Sequence, residues 1–347
     1  MNIKFTLTIH DKLYVDFDRD RKIAFDIIEK FIKHNNAKDF TLYALNLSEG
    51  EIFPNNDDFI KKINSYASHF KLCYFYNCNN EIQKAIELLP KEQTNNIIFK
   101  SYMYGLLNRT YFYISHDKNS DYKETLPYKK HFIFQNGVGK NHRLKLYIDL
   151  IQSGIEDKAY ISWLNINKII NDTTANKILK TTGINVLEKR ILDVEHTGNA
   201  AQEDLSEFYG SAAIDIFGES VFENSHCVFP TEKTWKPVIY KKVFLPLTSP
   251  NFFQWFKSEG FQLYDEIFDY SFDTIIDKNE RYKAFWLQIE NISKMSILEL
   301  QRKIKQPSVQ DKLEYNSNLA LSKNVVPKEL EEYRFHTNLL HTKNLTK

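Results

Sequence analysis

The sequence predicts an α/β protein, and three observations carry that prediction. Short apolar runs alternate with helix-length amphipathic patterns, the alternation stops at one polar, proline-containing stretch, and it then restarts. After an extended start, Ile23, Ala24, Ile27, Ile28, Phe31 and Ile32 recur at helical spacing, as one buried stripe requires. Phe40 to Leu47 reads as a strand, 58–69 as a helix, Lys71 to Cys78 as a second strand, and 80–89 as a helix that Pro90 ends. Residues 97–99 and 111–114 read as later strands. Residues 116–130 are polar, contain Pro127, and form the best linker in the chain. Beyond it come a strand at His131 to Gln135, a glycine-containing loop at 136–141, a helix at 142–153 stopped by Gly154, and a strand at Ala159 to Trp163. Ala212 to Phe217, Val243 to Leu247 and Phe261 to Tyr264 complete the strands, with helices at 250–257, 279–292 and near 327–340. Two successive units of this kind imply two Rossmann-like domains facing a cleft, divided as 1–125 and 126–347, with the final helix packing back on the first.

Composition limits what such a chain does. A length of 347 residues fits two domains, and 42% hydrophobic with 26% charged residues excludes an intrinsically disordered chain. Lys+Arg 46 against Asp+Glu 45 gives a net charge of +1, which removes whole-chain attraction to nucleic acid or anionic lipid. The three cysteines, Cys73, Cys78 and Cys227, have no paired Cys/His spacing, so neither a disulfide framework nor a structural zinc site is expected and a reducing, cytoplasmic setting fits. No secretory leader and no apolar run of membrane-spanning length is read in the sequence.

Two segments carry candidate chemistry. In Gln135-Asn136-Gly137-Val138-Gly139-Lys140-Asn141-His142-Arg143 a strand runs into a glycine loop and a helix opens with basic side chains. Backbone N–H groups, the positive end of the helix dipole, and the Lys140 and Arg143 charges suit a diphosphate. A P-loop fails on inspection: Phe134 stands where its first glycine belongs, and Asn141 replaces the magnesium-binding Ser/Thr. The second segment runs from Ile214 to Pro237. A strand ends in carboxylates (Glu219, Glu223), and Thr231 caps a helix with Glu232 and Lys233 in its first turn. Carboxylates at a strand's C-terminal end accept hydrogen bonds from vicinal sugar hydroxyls. A lysine at a helix N-terminus opposes the dipole, a conflict that a bound anion removes. Pro237 predicts that this helix is short or kinked. Asp16-Phe17-Asp18 reads as a solvated turn, not a metal site.

The Phe222-Glu223-Asn224-Ser225 … Thr231-Glu232-Lys233 pair resembles the signature of the α1,3-fucosyltransferases, inverting, metal-independent glycosyltransferases of the GT-B fold. Over about residues 131–295 the chain is similar to phage and bacterial proteins in which a Leu-Asn-Arg-Arg-x-Arg-x-His-Arg segment precedes a Ser-Glu-Thr strand end and a Thr-Glu-Lys-Thr-Trp/Phe-Lys-Pro motif. Here the counterparts are Gln135 to Arg143, Gly218-Glu219-Ser220 and Thr231 to Pro237, with Gly137 and Gly139 where arginines are usual. The resemblance implies a GT-B-like glycosyltransferase moving a sugar from a nucleotide-diphosphate sugar to a hydroxyl acceptor, glycan or other, with no metal and no further cofactor. It implies that Arg143 and Lys233 contact the diphosphate, that Glu232 lies beside them, and that Glu219 or Glu223 holds the ribose. The acceptor-side base does not transfer by motif, and Asp117, beside His116 near the linker, is the residue taken for it. A non-catalytic nucleotide-sugar or glycan-binding module, such as a phage structural component, is the alternative class. A nucleic-acid-modifying transferase would need a basic groove, which the balanced charge does not encourage.

Overall fold

The computed structural model describes residues 6–17, 21–45, 57–76, 95–100, 107, 110–111, 124–166, 170–188, 207–223, 228–323 and 330–331. The chain is α/β, with one mixed and one wholly parallel sheet and about ten helices among these residues. No helix in them is long and apolar enough to cross a membrane. Contacts divide the chain into two units, 1–105 with 325–347, and 106–324. The described residues Leu107, Thr110, Tyr111, Glu124 and Thr125, which the sequence-based division gives to the first domain, therefore group with the second. The linker's last residues are tied there too, Thr125 N donating to Gly210 O and Lys129 N to Ser211 O.

In the first unit, strands β1 (Thr6–Ile9) and β2 (Lys12–Asp16) form a hairpin that turns at His10, whose φ is +50°. Helix α1 (Arg21–His34) leads to β3 (Thr41–Leu45), and α2 (Asp57–Ala67) to β4 (Leu72–Tyr76) and then β5 (Ile97–Lys100). The order is β1-β2-β3-β4-β5, antiparallel only at the first pair. The period-two alternation of a strand sorts its side chains. Leu13, Val15, Leu42, Ala44, Cys73 and Phe75 pack with Ala24, Ile28, Phe59 and Ile63 of the two helices. Tyr14, Tyr43 and Tyr74 point the other way and stack in register, with ring centroids 4.7 and 4.9 Å apart. Leu330 is buried on that face. The sequence-read helix at 80–89 and most of the one at 327–340 lie outside the described residues.

The second unit is built on β6 (Lys130–Val138), α3 (Asn141–Gln152), β7 (Ala159–Ile166), α4 (Asp172–Thr182), α5 (Glu207–Ser211), β8 (Ala212–Gly218), α6 (Glu232–Ile239) and β9 (Val243–Leu247). Helices α7 (Phe252–Ser258), α8 (Lys278–Lys294), α9 (Ile297–Ile304) and α10 (Pro307–Lys323) follow. The strand order is β7-β6-β8-β9 and every pairing is parallel. From β6 the chain crosses through α3 to β7 on one side, and from β8 through α6 to β9 on the other. The order reverses between β6 and β8, which makes their C-terminal ends the topological switch point of the sheet. Trp163, directly beside Asn136 in the ladder, stacks on Tyr147 of α3 at 4.6 Å, whereas Gln135, one residue away, is bound by Lys236 of α6. The two crossover helices therefore cover opposite faces.

Two sequence readings are corrected here. Phe261 to Tyr264 is not a strand, because the Asn316 amide takes its backbone, accepting from Gln262 N and donating to Gln262 O, both at 2.8 Å. Tyr111 is helical and not extended, and the rest of the sequence-read strand at 111–114 lies outside the described residues. Pro237 acts as expected, and α6 is eight residues long.

Candidate functional site

The switch point is held by three consecutive residues. At the end of β8 and just beyond it, the carbonyl oxygens of Gly218, Glu219 and Ser220 accept from Arg143 Nε, His142 Nε2 and Lys140 Nζ, each at 2.8 Å. Every one of these donors lies at the opening of α3. The Glu219 side chain reaches the other way, to α6. Its carboxylate accepts from Thr231 N (3.0 Å), Thr231 Oγ1 (2.6 Å) and Thr234 Oγ1 (2.5 Å), and from Ser220 N (3.2 Å). A single turn thus draws two helix N-termini, one from each face, to one edge of a parallel sheet. Glu219 has no exposed surface, and four donors from its own chain occupy its two oxygens. Its carboxylate is the staple of α6, so a ribose would have to displace Thr231 and Thr234 to reach it.

Close approach at this turn requires glycine. A Cβ on Gly218 would lie 2.5 Å from Arg143 Cγ and 3.0 Å from His142 Cδ2, inside contact distance. Gly139 is crowded for a different reason: its Cβ would lie 3.2 Å from the Trp163 ring, which would have to give way by a few tenths of an ångström. At Gly137, by contrast, a Cβ would meet open space.

The electrostatics follow from burial. Arg143 is 3% exposed, and its Nε is committed to the strand end. The His142 ring stacks on Phe222 with centroids 5.2 Å apart. Burial first, then the Arg143 and Lys140 charges, push its pKa from 6.5 down to about 3, against the pull of its bond to the Glu219 carbonyl. A carbonyl only accepts, so neutral His142 carries its proton on Nε2 and presents Nδ1 as an acceptor. At α6, Lys233 Nζ lies 2.5 Å from Glu232 Oε1, with about a sixth of each side chain exposed (15% and 17%). The conflict between a cation and the positive end of the dipole is thus met by the neighbouring carboxylate.

Lys140, Arg143, Glu219, Glu232 and Lys233 are brought to the ends of one pair of strands. Glu223 lies four residues past Glu219, 60% exposed, with Lys278 Nζ 3.0 Å from its carboxylate. Asp117 lies outside the described residues. Sequence reasoning passed over Lys236, which is 3% exposed, donates to Gln135 Oε1 at 2.8 Å and sits 4.7 Å over the Tyr209 ring. Its place in Thr-Glu-Lys-Thr-Trp-Lys, three residues after Lys233 and so on the next turn of the same helix, was the available signal. Asn136, Thr248 and Ser249 were passed over as well. They lie at the same edge, at 3%, 4% and 1% exposure, and Asn136 Nδ2, Thr248 Oγ1 and Ser249 Oγ have no hydrogen-bond partner among the described residues. Among those residues, too, no three His, Cys, Asp or Glu side chains cluster as a metal site would need. No known family model matches the chain, and neither a curated protein nor a solved structure is detectably similar to it.

Two outcomes are expected. Gly218→Ala costs about 2 kcal/mol or more of unfolding free energy in urea titrations, because the Arg143 side chain and the strand cannot both keep their places. The His142 pKa is lowered on folding, so the unfolded chain binds the proton first and stability falls as pH drops from 6.5 toward 3, by up to about 1.4 kcal/mol per pH unit. His142→Gln keeps a donor for the Glu219 carbonyl and removes the proton. Its stability curve should be flatter than that of the wild type across that window.

Proposed function

We propose that the second unit binds a nucleotide-diphosphate sugar at the switch point and that the protein is a glycosyltransferase, with the first unit serving the acceptor. One observation carries the reading: the openings of α3 and α6, with Lys140, Arg143, Glu232 and Lys233, meet on the single turn Gly218–Ser220 at the β6/β8 switch point. Ligands of open α/β sheets bind at this place, and helix N-termini there favour anions. The sequence resemblance to GT-B enzymes agrees with it.

In the proposed reaction an acceptor hydroxyl oxygen forms a bond to the anomeric carbon as the bond from that carbon to the diphosphate oxygen breaks. The hydroxyl proton passes to a base, and negative charge collects on the departing diphosphate. This chain's contribution is to hold that charge. The α3 N-terminus supplies oriented N–H groups, and Lys140 and Lys233, now held by the Ser220 carbonyl and by Glu232, supply full charges. Arg143 serves indirectly in this scheme, since its Nε keeps α3 on the strand end. Of the two carboxylates considered for the ribose, Glu223 is the one open to solvent, and the reading assigns it that contact. Asp117 remains the residue proposed for the base.

The test pairs binding with turnover. Nucleotide-diphosphate sugars should raise the thermal midpoint, with about 2.7 kcal/mol of stabilisation at a ligand concentration 100 times Kd. Slow donor hydrolysis without acceptor should accompany binding. Lys233→Ala should lower that hydrolysis at least about 100-fold while changing unfolding free energy by less than about 1 kcal/mol. Unchanged hydrolysis in this variant removes Lys233 from the reaction, and binding without any hydrolysis selects the non-catalytic module.

A further inference from the structure

Asn136 is the residue at this edge whose chemistry the fold leaves unused. It is 3% exposed, its amide nitrogen is buried, and that nitrogen has no hydrogen-bond partner among the described residues. A buried donor without an acceptor is costly to the folded chain, and such groups in native proteins call for an explanation. The backbone shows where the amide points. Asn136 pairs with Trp163 in the parallel ladder, so the two side chains share a face. That Trp163 ring stacks on Tyr147 of α3 and fills the space where a Gly139 side chain would stand. The face is thus roofed, at the level of Asn136, by the turn that enters α3. The ladder register also breaks between Asn136 and Val138, where Gly137 alone stands opposite two residues of β7, 164 and 165, and a Cβ on Gly137 would meet open space. Bulges of this kind re-aim side chains next to binding sites.

Above lies the opening of a 12-residue helix whose N-cap is Lys140, a side chain with no acceptor atom, and no side-chain cap bond is made there. Its first-turn N–H groups and the Asn136 amide are all donors, and both lie on the α3 side of the sheet. Three kinds of observation therefore call for the same ligand chemistry: an unmatched buried donor, a helix start without a side-chain cap bond, and open space beside Gly137. We propose that Asn136 Nδ2 and the first-turn N–H groups of α3 form a seat for one phosphate group, with Asn136 as the donor from the strand side. The inference deepens the donor-site reading and rests on it for the rest of the ligand, since a phosphate seated here is one of the two in the nucleotide diphosphate.

Inorganic pyrophosphate is the probe, titrated calorimetrically and by thermal shift into the full chain and into Asn136→Leu, Asn136→Ala and Asn136→Asp. Asn136→Leu removes the unmatched donor at nearly constant volume, so the free protein should melt about 3 °C higher. Its pyrophosphate affinity should fall at least about tenfold, and that of Asn136→Asp, which sets a carboxylate against the anion, about 100-fold. Asn136→Ala should also lose about tenfold in affinity, and this reading holds even if the leucine does not fit. Wild-type affinity in the alanine variant overturns the seat, as does the absence of pyrophosphate binding to the wild type. The donor reading is scored separately, by nucleotide-diphosphate sugars on the same variants. Asn136-dependent pyrophosphate binding without sugar-nucleotide binding keeps the seat and ends the donor reading. Sugar-nucleotide binding that ignores Asn136 does the reverse.

Discussion

The turn Gly218–Ser220 is the constraint from which the rest of the site follows. Its three carbonyls bind side chains from the opening of α3, and its one carboxylate binds the opening of α6. Carbonyl groups and a carboxylate are all acceptors, so everything gathered around the turn is a donor. That is why three potentially cationic side chains and two threonines are packed against it. Removing Glu219 would strand several buried donors at once, a larger penalty than the loss of any single bond. The turn's glycine is fixed by the same geometry, because the Arg143 stem passes where a Cβ would be.

The two sheets use parallel strands differently. In the first unit β2 to β5 follow one another in sequence order, so no reversal occurs among the described strands and the C-terminal edge offers no crevice of this type. Its tyrosine stack, Tyr14, Tyr43 and Tyr74, is a packing device on the face away from α1 and α2. The second unit reverses direction between β6 and β8, and the segments that hold charged and polar groups at odds with simple packing are found there. Buried Arg143, Glu219 and Lys236 and the unmatched hydroxyls of Thr248 and Ser249 occupy this one edge. Local rules of foldability are broken most often where a protein binds or reacts.

Much of this was legible in the residues, for identifiable reasons. The strands β3, β4, β6, β7, β8 and β9 are apolar runs bounded by polar turns, and helices α1, α2 and α3 carry an amphipathic stripe. The grouping of Lys140, Arg143, Glu232 and Lys233 at strand ends was read from two motifs, since a strand that runs through a loop into a helix places that loop at the sheet's edge. Other features were not legible. The role of Glu219 depends on donors twelve and fifteen residues away, and no local pattern distinguishes a carboxylate that staples from one that binds a sugar. Helices α9 and α10 escaped notice although Ser296 and Glu299 make a capping-box pattern and Pro307 opens α10. Phe261 to Tyr264 looked like a strand because its buried aromatic residues mimic one, while its backbone partner, Asn316, lies more than fifty residues away.

The measurement that bears most directly on the central turn is amide hydrogen exchange in Glu219→Gln, compared with the wild type. The substituted side chain would set an amide NH2 against donors now facing a carboxylate, and the turn's grip on α6 would loosen. If the turn couples the two helices, exchange accelerates both at 231–235, which loses one of its two acceptor oxygens, and at 144–147, the first amides hydrogen-bonded within α3, whose opening is held by the carbonyls of the same turn. Faster exchange confined to 231–235, with 144–147 unchanged, would show that the two helix openings are anchored independently and would contradict the account.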